Sequence, residues 1–312
     1  MSSPGFSKLV CARDLEKRHA PRMADSSPVV SLVVSTKGRQ HQLVRLLDSL
    51  DGQSFKAFEV IIVDQNVGAL VARLLKKKRN FPIRHFHTPS ETGLSRGRNR
   101  GIAEAKGELL LFPDDDCWYP DSFIERGVRT MRELNLDALT GRPTNEKGEA
   151  VQGRFETEAQ WITPNNVWTT QIEWAAFWRR DLLVELAGYD ELIGVGAPSP
   201  WQSAEGQDLM LRVLKKSTRC WYDPSIVAYD AGVDRRRADS ATIAKARAYG
   251  RGMGYVLRKQ GLGKRTSFYL FSRAIGGAML AAATGRRRLA KFHVATAFGR
   301  LEGIVGRCLG PS

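Results

Sequence analysis

From Val29 onward, short runs of aliphatic and β-branched residues alternate with longer segments in which apolar side chains recur every three or four positions. The run "PVVSLVVST" (28–36) predicts a buried parallel strand, and "RQHQLVRLLDSL" follows it with Leu43, Leu46, Leu47 and Leu50 at helical spacing. The unit then repeats. A strand in "FEVIIVDQ" ends at Asp64, a helix is expected over 67–80, a strand in "FPIRHFHT", a helix over 94–107, and a fourth strand in "ELLLFPDDD" (108–116). Beyond Pro120 the pattern predicts a helix over 121–134 and a strand over 137–143. An irregular section rich in tryptophan (Trp161, Trp168, Trp174, Trp178) comes next. Leu209, Leu211, Val213 and Leu214 then mark a helix, entered through a glycine-containing loop that carries Glu205 and Asp208. Alternating strands and helices of this length predict an α/β fold, a mostly parallel sheet with helices on both faces.

Ligands of such sheets bind beyond the carboxyl ends of the strands. Three polar groups fall there: Ser35 with Thr36, Asp64, and the run Asp114, Asp115, Asp116. Three adjacent carboxylates in a partly desolvated place repel one another, and one takes a proton unless a cation neutralises the group. A hard divalent ion held through one or two carboxylates, with phosphate oxygens and water completing its shell, meets that need. A solvated turn, or a helix cap with Asp121, is the simpler reading of the run by itself. Asp64 suits hydrogen bonding to a base or ribose, and equally an Asx-turn. The segment "TGLSRGRNRG" offers Arg96, Arg98 and Arg100 near a helix start, where amides and guanidinium groups favour a diphosphate; residues at this spacing cannot all share one face. His85 and His87 share a strand face without a third ligand, so packing or surface roles are expected of them.

These motifs together carry a resemblance. "VVSLVVSTKGR", "VIIVDQN", "GLSRGRNRGI", "LLFPDDDCWYPDSF", "WAAFWRRDLLVELAGYDE" and "SAEGQDLMLRVLKKSTRCWYDPSIVAYD" follow the order and spacing of family 2 glycosyltransferases with the GT-A fold. The chain resembles them from about Pro28 to Asp230. The resemblance implies a Rossmann-like mixed sheet, a nucleotide-diphosphate sugar donor, most often UDP-linked, and Mg²⁺ or Mn²⁺ at the D-x-D formed by Asp114 and Asp116. It places Ser35, Thr36, Asp64, Arg98, Asp114 and Asp115 around the donor nucleotide. It also implies an inverting in-line displacement in which a carboxylate deprotonates the acceptor hydroxyl. One departure concerns that carboxylate. In the family pattern the base is the aspartate of a Glu-Asp pair, and "AEGQDLMLR" sets Gly206 on that position. Asp208 is the preferred substitute, with Glu205 the alternative. Trp174 and Trp201 are candidates for stacking on an acceptor sugar, although core packing accounts for most tryptophans equally well.

Composition changes the picture at the two ends. The formal charge of +15 lies almost wholly in residues 233–312, which hold 17 basic and 3 acidic side chains. Three parts are therefore expected: a disordered or over-extended start (1–27, with Met23 an alternative beginning), a GT-A catalytic domain (28–232), and a basic helical region (233–312). The apolar stretch Ser267–Gly285, flanked by Lys264, Arg265 and Arg286 to Arg288, suits either a helix lying on an anionic membrane surface or a helical bundle packed on the catalytic domain. A cytoplasmic protein peripheral to the inner face of the plasma membrane, acting on a glycan or lipid-linked acceptor in surface polysaccharide or glycolipid assembly, is the expectation that joins these points. Four scattered cysteines without a CxxC pair suggest neither zinc nor a disulfide framework. A sugar nucleotidyltransferase would carry a glycine-rich basic loop after the first strand, which "VVSTKGRQHQ" lacks. A nucleic-acid-binding protein is suggested by the pI near 9.9 alone, and no nucleic-acid partner is expected, because the sheet end offers acids where a phosphate-binding groove needs bases.

Overall fold

The computed structural model describes residues 27–151, 153–232, 235 and 238–309. The expectation for the N-terminal segment falls on residues 1–26, outside the described residues. β1 (Val30–Thr36), α1 (Gln40–Asp51), β2 (Phe58–Asp64), α2 (Leu70–Leu74), β3 (Ile83–His87), α3 (Leu94–Glu104) and β4 (Leu109–Leu111) form the expected alternating half. α4 (Phe123–Glu133), β5 (Ala138–Thr144), β6 (Gln160–Trp161), α5 (Val167–Thr170), a 3₁₀ turn (Glu173–Ala175), β7 (Ala176–Arg179), α6 (Arg180–Glu185), α7 (Glu205–Leu214) and β8 (Cys220–Tyr229) follow. Three helices close the chain: α8 (Ser240–Lys259), α9 (Lys264–Ala283) and α10 (Arg287–Val305).

The strands make one sheet in the order β3-β2-β1-β4-β7-β5-β8-β6. β1 pairs in parallel with β2 and β4, and β2 with β3; β7 enters antiparallel between β4 and β5. Its two faces separate by alternation, as strand geometry requires. Val30, Leu32, Val34, Val60 and Ile62 pack with α1 and α4, whereas Val33, Ile61 and Val63 pack with Ile102 of α3 and Leu209 and Met210 of α7. α3 lies unusually close to β1, since a Cβ at Gly97 would stand 2.2 Å from Ser35 Oγ and one at Gly101 2.1 Å from Val33 Cγ1. That closeness presses Arg98, between the two glycines, into the protein.

Some expected lengths were too generous. Helix α2 has five residues rather than the fourteen of 67–80, because Gly68 adopts φ +89° before it and the lysines after Leu75 continue as a turn. β4 pairs only over Leu109–Leu111; Phe112 and Pro113 leave the sheet, so the three aspartates stand on a loop above it. Glu205 and Asp208 lie in the first turn of α7, not in a preceding loop, and Ala204 with φ +70° makes the entry.

The C-terminal region is the helical bundle, and it rests on the catalytic domain. α8 and α10 approach backbone to backbone through four glycines: a Cβ at Gly254 would stand 2.1 Å from Arg300 O, and one at Gly303 2.2 Å from Arg251 O, with Gly250 and Gly299 similarly placed. Glu302, fully buried, accepts hydrogen bonds from Arg247 (2.7 and 3.0 Å) and Arg251 (2.7 Å) and locks the pair. Among the described residues no helix is long and apolar enough to cross a membrane.

Candidate active site

A cleft of about 740 Å³ opens above the carboxyl ends of β1 and β4. One wall carries Ser35, Gln65, Arg98 and the three aspartates; the other carries Trp168, Gln171, Glu173 and Trp174; α8 and the helices behind it cover the top with Lys245, Tyr249 and Arg273 among others. The basic tail is therefore part of the cleft's wall.

Two guanidinium groups hold the aspartate run. Arg39 donates to Asp115 (3.1 Å) and Asp116 (2.5 Å), and Thr36 Oγ1 donates to Asp115 Oδ2 (2.8 Å). Arg98 is 1% exposed and joins Asp114 (2.9 Å) to Glu205 (3.1 Å). Burial pushes the Asp114 carboxyl up to about 7 against the pull of Arg98, and Asp116, Glu205 and Asp115 push it the same way as burial. Asp115 and Asp116 are raised as well, by burial first. Burial opposes the charge of Arg98, but Tyr189, Asp114, Glu173 and Glu205 around it outweigh that and keep it protonated. The cleft thus holds more negative charge than its two arginines compensate comfortably.

That donor set bears on the expected metal. No group of three or more His, Cys, Asp or Glu among the described residues is arranged to hold a metal ion. Asp114 and Asp116, with raised proton affinity, fit an ion that takes two carboxylates from the protein and the rest of its shell from phosphate and water. They do not fit a cage built by protein alone. Arg39 would have to yield Asp116 to such an ion.

Several expected residues meet here: Ser35, Arg98, Asp114, Asp115, Asp116, Glu205 and Trp174 all line the cleft, with Thr36 bonded to Asp115 beside them. Of the three arginines of α3 only Arg98 turns inward; Arg96 pairs with Glu191 (3.0 Å) and Arg100 with Glu104 (3.1 Å), near the surface. Asp64 takes its Asx-turn form. It is fully buried, accepts from the backbone N–H (3.0 Å) and side chain (2.8 Å) of Asn66, and meets His85 Nε2 at 3.1 Å. His85 and His87 brace this turn, His87 Nε2 lying 2.9 Å from Asn66 O. Both carboxylate oxygens of Asp64 are thereby engaged within the protein.

Asp208 does not join the cleft either. Its fully buried carboxylate meets Arg212 (3.0 Å), Lys259 (2.9 Å) and Gln260 (2.6 Å), so it docks α8 onto α7. Although the i,i+3 spacing sets it near Glu205 on the helix, its carboxylate is drawn to the cations of α7 and α8 rather than to the sheet end. Trp201 likewise stacks on Tyr255 of α8, with ring centroids 4.7 Å apart and planes 9° from parallel. Its partner belongs to the region that sequence patterning set apart as a separate unit. Sequence patterning does not single out Arg39 and Glu173, which line the cleft, or Tyr189, which donates to Glu173 from behind it; Glu173 lies within a tryptophan-rich stretch that has no periodicity to place it.

Comparison with known proteins gives the family. The model described as "Glycosyl transferase family 2" matches residues 31–183. An "Uncharacterized glycosyltransferase" of Haemophilus influenzae is 27% identical over 198 residues, 60% of this chain and 63% of that protein. The chain spans less than two thirds of the length of the first curated relatives it matches. Among solved structures, S. aureus TarS 1–349 in complex with UDP-GlcNAc aligns over 89% of this chain and 92% of its own, with a TM-score of 0.55 and 16% identity. The mannosyltransferase PcManGT from Pyrobaculum calidifontis, in complex with GDP-Man and Mn²⁺, aligns over 89% and 88% with a TM-score of 0.62 and 16% identity. At such identities these two structures speak for a shared GT-A fold.

Proposed function

The chain belongs to glycosyl transferase family 2, and we propose that it transfers a sugar, with inversion, from a nucleotide-diphosphate sugar to a hydroxyl of a glycan or lipid-linked acceptor. The observation that carries this reading is the aspartate run above β4, ion-paired with Arg98 and Arg39 in one cleft at the sheet end. Ser35, Thr36, Asp115 and Gln65 border the place for the nucleoside, and Asp64 supports it from beneath through the Asn66 turn. The diphosphate lies toward Arg39, Arg98 and Lys245, whose charges offset its own. Asp114 and Asp116 are the residues that would hold Mg²⁺ or Mn²⁺, and such an ion, when bound, takes up charge on the leaving diphosphate. A UDP-linked donor is the first to try, TarS being a neighbour seen with UDP-GlcNAc, and a GDP-linked one the second.

The acceptor side is formed by Trp168, Gln171 and Trp174. The indole nitrogens of both tryptophans and Gln171 Oε1 are buried without a hydrogen-bond partner, an unusual cluster that the hydroxyls of a sugar would satisfy. The basic tail gives the reading its membrane component. α9 buries Leu270, Ala274, Ala278 and Ala281 but leaves Phe268, Tyr269, Met279 and Leu280 more than half exposed, with Arg265 and Arg273 also exposed on it. Such a face suits the surface of an anionic bilayer from which a lipid-linked acceptor could be drawn.

The test is a thermal-shift and calorimetric screen of UDP-, GDP-, CDP- and dTDP-sugars, with and without Mn²⁺, on the wild type and on Asp114→Ala/Asp116→Ala. Metal-dependent stabilisation by one nucleotide, lost in the variant, is expected. A folded protein that responds to none of them would refute the reading.

A further inference from the structure

Four carboxylates surround the start of α7, and three of them are committed. Asp114 and Glu205 are ion-paired to Arg98, and Asp208 to Arg212 and Lys259. Glu173 is different. It is 6% exposed, it lines the cleft, and its hydrogen bonds come from neutral groups, the Tyr189 hydroxyl to Oε1 and Gln171 Nε2 to Oε2 (3.2 Å). Among the described residues no basic side chain is ion-paired with it.

Its position relative to Gly206 is the second observation. A Cβ built on Gly206 would stand 1.8 Å from Glu173 Oε2 and 3.0 Å from its carboxyl carbon. The Glu173 carboxylate therefore fills the space into which any side chain at 206 would project. A glycine in the first turn of a helix has a propensity cost of about 1 kcal/mol relative to alanine, so a reason for it is needed. Here the reason is a carboxylate from another element. The third observation is the setting: Gln171 Oε1 and Trp174 Nε1, flanking Glu173 in sequence, are buried and unpartnered in the same wall.

We propose that Glu173 is the catalytic base, delivered from the 3₁₀ turn before β7 into the place that residue 206 leaves empty, with Gln171 and Trp174 holding hydroxyls of the acceptor beside it. This rests on the glycosyl-transfer reading above. In the step, the acceptor O–H gives its proton to Glu173 and its oxygen forms a bond to the anomeric carbon. The bond from that carbon to the diphosphate oxygen breaks, and its electron pair leaves with the nucleoside diphosphate. Burial holds the Glu173 carboxyl above the ordinary glutamate range, the direction a base working near neutral pH requires. Arg98 nearby keeps the anion accessible by pulling the other way.

The experiment has two arms. The first needs no substrate. Gly206→Ala should destabilise the protein in urea, and the loss should largely vanish in the Glu173→Ala background, because the added methyl then has room; equal losses in both backgrounds would overturn the steric half of the proposal. The second uses whichever UDP-, GDP-, CDP- or dTDP-sugar the screen identifies, following nucleoside diphosphate release with water and simple saccharides as acceptors. Glu173→Gln should keep donor affinity within about twofold while kcat falls roughly 10²- to 10³-fold. Glu173→Ala/Gly206→Asp, which moves the carboxylate onto α7, should recover at least about tenfold over Glu173→Ala and shift the acidic limb of the pH profile. Retained turnover in Glu173→Gln, or loss of turnover that Gly206→Asp does not relieve, would overturn the assignment. Failure of the wild type to bind any donor would instead strike the glycosyl-transfer reading itself.

Discussion

Replacing Arg98 by methionine tests the electrostatic description of the cleft without any knowledge of its substrate. Methionine keeps an unbranched, buried side chain of similar length, so the change chiefly removes charge and hydrogen bonds. Arg98 is 1% exposed and bridges Asp114 and Glu205 at 2.9 and 3.1 Å, with Glu173 close enough to feel its charge. Removing one partner of a buried pair costs about 3–5 kcal/mol, because the remaining charge is left uncompensated. That cost should depend on pH in a definite direction. Asp114 titrates at about 7 when folded, above its unfolded value, so the stability it contributes is present at low pH and is lost as pH rises through 7. Without Arg98 the folded value moves higher still, and the variant goes on losing stability where the wild type has levelled off. Each pH unit in that window widens the gap by up to about 1.4 kcal/mol.

Urea unfolding followed by tryptophan fluorescence, at pH 5.5 and pH 8 with EDTA present, reads both numbers. A deficit of about 3–5 kcal/mol at pH 8 that shrinks by at least about 1 kcal/mol at pH 5.5 is expected. A deficit below about 1 kcal/mol, or one identical at the two pH values, would refute the claim that Arg98 compensates buried carboxylates.

Asp208→Asn should lower stability by about 2–3 kcal/mol by unpairing Arg212 and Lys259 while leaving kcat within a few-fold; a kcat loss of 10²-fold or so with stability intact would return Asp208 to the chemistry. Gly254→Ala sets a methyl 2.1 Å from Arg300 O and should cost about 1–3 kcal/mol by parting α8 from α10, measured by thermal unfolding; an unchanged midpoint would contradict the close helix contact. Serine at Phe268, Tyr269, Met279 and Leu280 together should weaken pelleting with anionic vesicles by roughly tenfold or more without altering fold or donor binding; equal pelleting would remove α9 from any membrane role.

The alternating half of the molecule was legible because its signal is local. Leu43, Leu46, Leu47 and Leu50 mark a helix face without reference to anything else, and all four are buried where that face meets the sheet. The place of the aspartate run at the cleft was legible for the same reason: it follows directly on a buried strand, and strand ends meet at one edge of a parallel sheet. Asp208 and Trp201 were misplaced because their partners, Lys259 and Tyr255, come from α8, which composition presented as a separate unit. Charge counting finds a basic tail but cannot report that its glycines let two helices close on each other and rest on α7.

Glu173 and Gly206 show where local reading stops. In the sequence they are thirty-three positions apart, one a glutamate among tryptophans with nothing to single it out and the other a glycine where the family pattern has a carboxylate. In space they are one feature, since the oxygen of the first lies where the side chain of the second would be. Burial raises the proton affinity of Glu173, while Arg98 and the hydrogen bonds from Tyr189 and Gln171 pull the other way. The glycine leaves room for that carboxylate, and on the proposal above the double variant that returns the carboxylate to 206 should report its changed setting as a shifted acidic limb in the pH profile.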